Sequence, residues 1–161
     1  MRHITLHHEI ACSPEAYWAC VLDPAYNHAL FIGALRFERY EVTVQREYED
    51  HVMREVRAEA SRVGVPAFLH KALPYLEQGD LDRHRSLYSF RTFNERMGDN
   101  VKIHGYMHCQ DLGRDRCGRS TELHVDVTML GVGGFVENRL VTDFTKSCNV
   151  SAEFTNAWVR R

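Results

Sequence analysis

The stretch GVGGFVENRLVTDFTKSCNVSAEFTNAWVRR, from Gly131 to Arg161, decides how the rest of the chain can fold. After breaks at Gly131 and Gly133-Gly134 it holds neither proline nor further glycine. Val132, Val136, Leu140, Phe144, Cys148, Ala152 and Val159 recur mostly four residues apart, the mark of an amphipathic helix. A helix over residues 133–158 is a rod of roughly 39 Å, long enough to cross one face of a small domain. A coiled-coil tail projecting into solvent needs a sustained seam of about 3.5-residue period with charged flanks. Phe135, Val141, Phe154 and Trp158 widen the apolar stripe instead. The helix is therefore expected to lie on a sheet.

The whole chain sets bounds on what that sheet belongs to. Its 161 residues suit one domain, expected to span 1–161; a chain of this size buries roughly 70% of its unfolded surface and needs no disulfide or metal staple. A net charge of -2 and a pI near 6.5 leave no basic stripe, so nucleic acid is not the expected partner. The opening residues MRHITLHHEIACS alternate polar and apolar. They lack the apolar core of about seven residues that a signal peptide carries, and the chain has no apolar run of roughly eighteen residues. Cys12, Cys20, Cys109, Cys117 and Cys148 are an odd set without C-x-x-C spacing, which suits free thiols in a reducing compartment. The expectation is a soluble cytoplasmic protein.

Ahead of the terminal helix the chain reads mainly as strands. Ile4, Leu6, His8 and Ile10 alternate with His3, Thr5, His7 and Glu9 over residues 2–11, the period of a half-buried strand. Ser13-Pro14-Glu15 and Asp23-Pro24 each carry a capping side chain followed by proline, which starts a short helix; the first runs to Leu22, and the second carries Tyr26, Leu30 and Phe31 and ends at Gly33. Residues 34–49 put Tyr40, Val42 and Val44 on one side. Residues 52–62 suit either a charged helix or a strand with Val52, Val56, Ala58 and Ala60 inward, and the hairpin context favours the strand. Further strands are expected near 84–94, 100–112 and 119–130, with a shorter one at 75–82. Consecutive hairpins give an α+β fold: a curved antiparallel sheet of six or seven strands, two short helices after the first, and the long helix across it.

In its opening HITLHHEIACSPEAYWACVLDP (residues 3–24) and its closing GVGGFVENRLVTDF (residues 131–144), the sequence resembles the START-like, SRPBCC helix-grip superfamily. That superfamily includes polyketide cyclases, pollen-allergen-type carriers and lipid-transfer domains. The closing stretch is also similar to bacterial members of that superfamily and to PRELI-like lipid carriers. The resemblance implies a cavity for a hydrophobic ligand and no particular ligand.

On that expectation the inward positions Tyr40, Val42, Tyr88, Phe90, Ile103, Met107, Val125, Val127 and Met129 would line the cavity from the sheet, with Phe135, Val136, Leu140 and Phe144 from the helix. Gly105, in mid-strand, hints at reduced filling. Phe68, Leu69 and Leu73, in the proline-bounded stretch VGVPAFLHKALPYL, would form either a gate, lying over the cavity mouth or dipping into a membrane surface in transient contact, or a helix fixed on the core rim. His8, on the apolar side of its strand, is the candidate catalytic residue, against the alternative of a buried structural histidine. Pairing of the last two strands would set His104 opposite Asp126, Tyr106 opposite His124 and His108 opposite Glu122, and the favoured reading of those six is a solvated face without a metal. No nucleophile elbow, P-loop, dinucleotide fingerprint or zinc motif occurs, and no cofactor is expected. The function expected is binding or transfer of a small hydrophobic or amphipathic ligand. A small cyclase- or hydrolase-type enzyme and a protein-interaction module with a filled core are the alternatives.

Overall fold

In the computed structural model, which describes residues 1–60 and 74–161, the alternation becomes one antiparallel sheet. Its strands are β1 (Arg2–Ile10), β2 (Arg39–Glu47), β3 (His51–Glu59), β4 (Pro74–Asp82), β5 (Leu87–Asn94), β6 (Val101–Asp111) and β7 (Cys117–Val127). Among the described residues the order is β1-β7-β6-β5-β4-β3-β2, so hairpin follows hairpin and the first strand closes on the last. The ambiguous stretch after His51 is a strand, because Val52, Arg54, Val56 and Ala58 are buried at period two. Burial overrides the helical preference of its Ala, Glu and Arg residues. The gate residues Phe68, Leu69 and Leu73 lie outside the described residues.

Both proline-led helices form where their caps predict. Ser13 Oγ accepts from the Ala16 amide at 3.2 Å and starts α1 (Pro14–Leu22); Asp23 accepts from the Ala25 amide at 2.9 Å and starts α2 (Pro24–Asn27). Beyond Asn27 the chain departs from an ordinary helix: His28–Ala34 is π-helical, with the Leu35 amide bonded to the Leu30 carbonyl five residues back. The wider turn goes with Leu30 in the core and the Phe31 ring stacked on Tyr40 at 3.7 Å between centroids.

The terminal stretch is helix α3 (Gly133–Trp158), packed on β1 and β7. No side chain caps it; its start is fixed by contact with the sheet. A Cβ at Gly133 would lie 2.6 Å from the Val127 carbonyl oxygen, and the Glu137 carboxylate accepts the Val127 amide at 3.1 Å. Only glycine permits that approach. Further along, Tyr26 donates to Thr155 Oγ1 at 2.6 Å, tying α2 to the helix. Ile10, Leu123, Val125 and Val136 are buried between the layers, each stabilising the fold by at most about 1.5–3 kcal/mol.

Two registers differ from expectation. β7 begins at Cys117, and the turn before it closes tightly, with the Leu112 amide on the Arg116 carbonyl and Arg114 and Asp115 in left-handed conformations. Pairing therefore shifts by two residues: His104 faces His124, Tyr106 faces Glu122, His108 faces Ser120, and Asp126 faces Lys102. In β2 a bulge falls between Val42 and Val44. It leaves Tyr40 and Val42 on the inner face and turns Val44 to the outer one, opposite Glu55. Among the described residues no helix is long and apolar enough to cross a membrane.

Candidate functional site

Between the inner sheet face and the three helices lies a cavity of about 360 Å³. Of the residues expected to line it, Tyr40, Tyr88, Phe90, Ile103, Met107, Val125, Val136, Leu140 and Phe144 do so. Val42, Val127, Met129 and Phe135 lie off the lining. Val127 is buried in the core, Met129 packs against it from beyond the end of β7, and Phe135 is 54% exposed at the start of α3. The two mid-strand glycines leave no void: a Cβ at Gly105 would lie 2.6 Å from the Phe90 ring, and one at Gly79 would overlap the Tyr88 ring. Gly105 therefore makes room for an aromatic side chain, contrary to the hint of reduced filling.

Sequence reasoning missed two parts of the lining. The first is aromatic, from the short helices: Tyr17, Trp18, Tyr26 and Phe31. The second is polar: Arg54 from β3 with Tyr75 and Glu77 from β4. Arg54 shares the parity of Val52 and Val56, and Glu77 lies opposite Val56, so a strict period-two reading finds both.

Those polar groups form a cluster at the sheet side of the cavity. Arg54 is 3% exposed; its Nη1 donates to the Val21 carbonyl at 2.9 Å and its Nη2 to Tyr40 Oη at 3.0 Å, while Nε has no partner among the described residues. Tyr88 donates to Glu77 Oε1 at 2.8 Å. The second Glu77 oxygen has no protein partner among the described residues, and the residue keeps part of its surface open. That surface faces the cavity, and the protein packed around it partly desolvates the carboxyl. Burial pushes its pKa above the usual 4.5, outweighing the hydrogen bond from Tyr88 and the Arg54 charge, which pull it down. Burial likewise lifts Tyr40 to about 12 and Tyr75 and Tyr88 well above the phenol range. These phenols are neutral donors at physiological pH.

A second buried guanidinium, Arg119 on β7, binds the layers together. Its Nη1 donates to Tyr17 Oη and Ser151 Oγ, both at 3.1 Å, and its Nη2 to the Cys148 carbonyl at 2.9 Å and His8 Nδ1 at 3.3 Å. Tyr17 Oη in turn donates a hydrogen bond to Met107 Sδ at 3.0 Å. His8 Nε2 faces Asn149 Oδ1 at 2.8 Å. Both ring nitrogens are thus engaged: Nδ1 accepts from Arg119 and Nε2 donates to Asn149, which fixes a neutral imidazole. Burial, with the Arg119 and His7 charges, lowers its pKa. His8 is not part of the cavity lining, and its lone pair is already taken.

The outer face differs throughout. His3, His124 and His104 stack across β1, β7 and β6 at 4.3 and 4.7 Å between centroids, and His3 Nε2 lies 3.7 Å from Glu122. Candidate ligand atoms of His3, Glu122 and His124 fall within 4.8 Å of one another, on a half-exposed surface where side chains exchange freely with water.

A family model described as "Protein of unknown function (DUF2505)" matches residues 5–159. The chain belongs to that family. No curated protein matches the sequence. Among solved structures, the chain is similar to the Zhui aromatase/cyclase from a Streptomyces species, with TM-score 0.74, 14% identity, and 99% of this chain and 94% of that one covered. It is also similar to norcoclaurine synthase from Thalictrum flavum, with TM-score 0.68, 17% identity and coverage of 99% and 87%. Another structure of that synthase, in complex with dopamine and hydroxybenzaldehyde, superimposes with TM-score 0.69 at 16% identity, covering 99% of this chain and 87% of that one. At these identities the likeness is one of fold: the sheet gripping a long terminal helix is the helix-grip α+β architecture.

Proposed function

We propose that the protein binds or transfers a small hydrophobic or amphipathic molecule, of lipid, sterol-like or polyketide type, held between the sheet and α3. One observation carries the reading: the cavity of about 360 Å³ is apolar over most of its lining and sets Arg54, Tyr40, Tyr75 and Glu77 together at its sheet side, with Arg119, Arg139 and Asp143 among its other polar groups. Small-ligand sites of roughly 300–1,000 Å³ have this character, apolar walls for affinity and a few polar groups for orientation. On this reading the chain is one domain acting in the cytoplasm, with a small molecule as partner. Native mass spectrometry of protein from its own host tests it. A co-purified apolar or amphipathic molecule, lost when Ile103→Trp fills the cavity, supports the reading; a bare mass together with no uptake of apolar dyes overturns it.

A second reading, a cyclase- or hydrolase-type enzyme acting on the same ligand, is favoured by the enclosed Glu77 carboxyl beside Tyr88 and Arg54. Carrier cavities need hydrogen-bond donors, but they do not need a carboxyl kept from water.

A further inference from the structure

Glu77 stands out among the cavity's ionisable groups by what it lacks. Arg139 and Asp143 on α3 satisfy one another at 2.9 Å, Arg54 is bonded to Tyr40 and Val21, and Arg119 is bonded to α1, β1 and α3. Glu77 has one neutral phenol as partner and no cation within 4.0 Å among the described residues, so its second oxygen is available to whatever fills the cavity. Tyr40 accepts from Arg54, which leaves the phenol's own proton free to be donated and makes it a stronger donor.

We propose that Glu77 is a catalytic proton-transfer residue: its carboxylate takes a proton from a carbon next to a carbonyl in an otherwise apolar ligand, while the Tyr40 hydroxyl donates to the carbonyl oxygen. The C–H pair becomes the C=C bond of an enolate, and the carbonyl pair moves onto oxygen. Where the ligand carries a C=C bond one carbon beyond the C–H, the enolate is a dienolate. The same proton then returns from the neutral acid to its far (γ) carbon, bound by the former C=C pair, while the oxygen pair re-forms the carbonyl, giving the conjugated isomer of the ketone with no co-reactant. The arrangement suits the task. A desolvated carboxylate is a stronger base than one in water, and the ordinary penalty of a base at neutral pH, being too weak, is reduced. The groups that face Glu77 and set its ionisation are Arg54 from β3, Tyr40 from β2, Tyr75 from β4 and Tyr88 from β5. This inference rests on the ligand-binding reading above.

The test uses 5-nitrobenzisoxazole, a flat apolar probe whose ring opens when a base removes its C3 proton. The C–H pair forms the nitrile, the N–O bond breaks, and oxygen leaves as a coloured phenolate, so the rate reports the base directly. Wild-type protein is expected to show saturable turnover, with a pH midpoint above the usual carboxylate range. Glu77→Gln, close in shape, should lower kcat by about 100-fold or more and leave KM within about threefold. Tyr88→Phe removes the hydrogen bond that favours the ionised carboxyl, and so should move the midpoint further up. A rate unchanged in Glu77→Gln, or a midpoint that ignores Tyr88→Phe, overturns the assignment and leaves ligand binding standing. Failure of the probe to displace an apolar dye from folded wild-type protein overturns both.

Discussion

The two faces of this sheet are built from the same strands, one mainly apolar and one mainly polar, and the charged groups they carry behave in opposite ways. Outside, Gln78 with Glu55, Arg91 with Gln78 and His3 with Glu122 pair across strands in reach of water. Such pairs contribute tenths of a kcal/mol. Inside, Arg54 and Arg119 are buried and Glu77 is half-buried against the cavity, so their hydrogen bonds are made largely away from bulk water. Position relative to the helices, and not residue type, decides whether a charge is decoration or structure.

The largest expected effect is at Arg119. Arg119→Ala removes donors to Tyr17, Ser151, Cys148 and His8 at once, and chemical denaturation should show a loss of about 3 kcal/mol or more. A loss below about 1 kcal/mol would erase the distinction between the faces.

Inside the inner face, Val127→Trp and Ile103→Trp separate core from cavity. Val127 lies in the core and off the lining, so tryptophan there should overpack and cost about 1–3 kcal/mol. Ile103 lines the cavity, and the same side chain should be accommodated at a smaller cost while abolishing uptake of an apolar dye. Equal losses would mean that the space beside Ile103 is as unyielding as the core.

Acid and base titrations sharpen the contrast, because two inner groups carry opposite signs. The folded-state pKa of Glu77 is raised above 4.5, so the native state holds its proton more tightly than the unfolded chain, and stability falls as pH rises through that raised value. Glu77→Gln should therefore raise the melting temperature near pH 7 and lose that advantage below about pH 4.5. His8 is lowered from 6.5; below that value the unfolded chain takes up the proton more readily, and stability falls with pH. His8→Gln should blunt that acid loss, as read by melting temperature between about pH 7 and pH 5. Superimposable wild-type and variant profiles would place these side chains in water.

The smallest effect belongs to the outer face. His124→Ala breaks the stacked imidazole row, and its stability should stay within about 0.5 kcal/mol of wild type by denaturant titration. A larger loss would show that the row bears load as the inner groups do.

The fold was largely legible because it rests on periodicity. Four-residue spacing from Val132 onward marks α3, the Ser13-Pro14 and Asp23-Pro24 caps mark the short helices, and alternation marks the strands. Each is a local signal. Reading the site demanded more. Tyr40, Phe90 and Ile103 reach the cavity because strand parity is enough to turn them inward, but parity counted apolar residues and passed over Arg54 and Glu77, whose burial contradicts their chemistry.

By itself, then, the sequence determined which segments are helix or strand and which of their faces are apolar, since both follow from spacing along the chain. The tertiary structure alone decided the rest. The Thr43 bulge and the tight turn at Leu112–Arg116 set the registers, and so put His104 beside His124 and Val44 on the outside. Folding β3 and β4 beneath the helices enclosed Glu77 next to Tyr88 and turned an ordinary surface-type residue into a desolvated acid. Desolvation depends on everything packed around a group, and residues distant in sequence supply it.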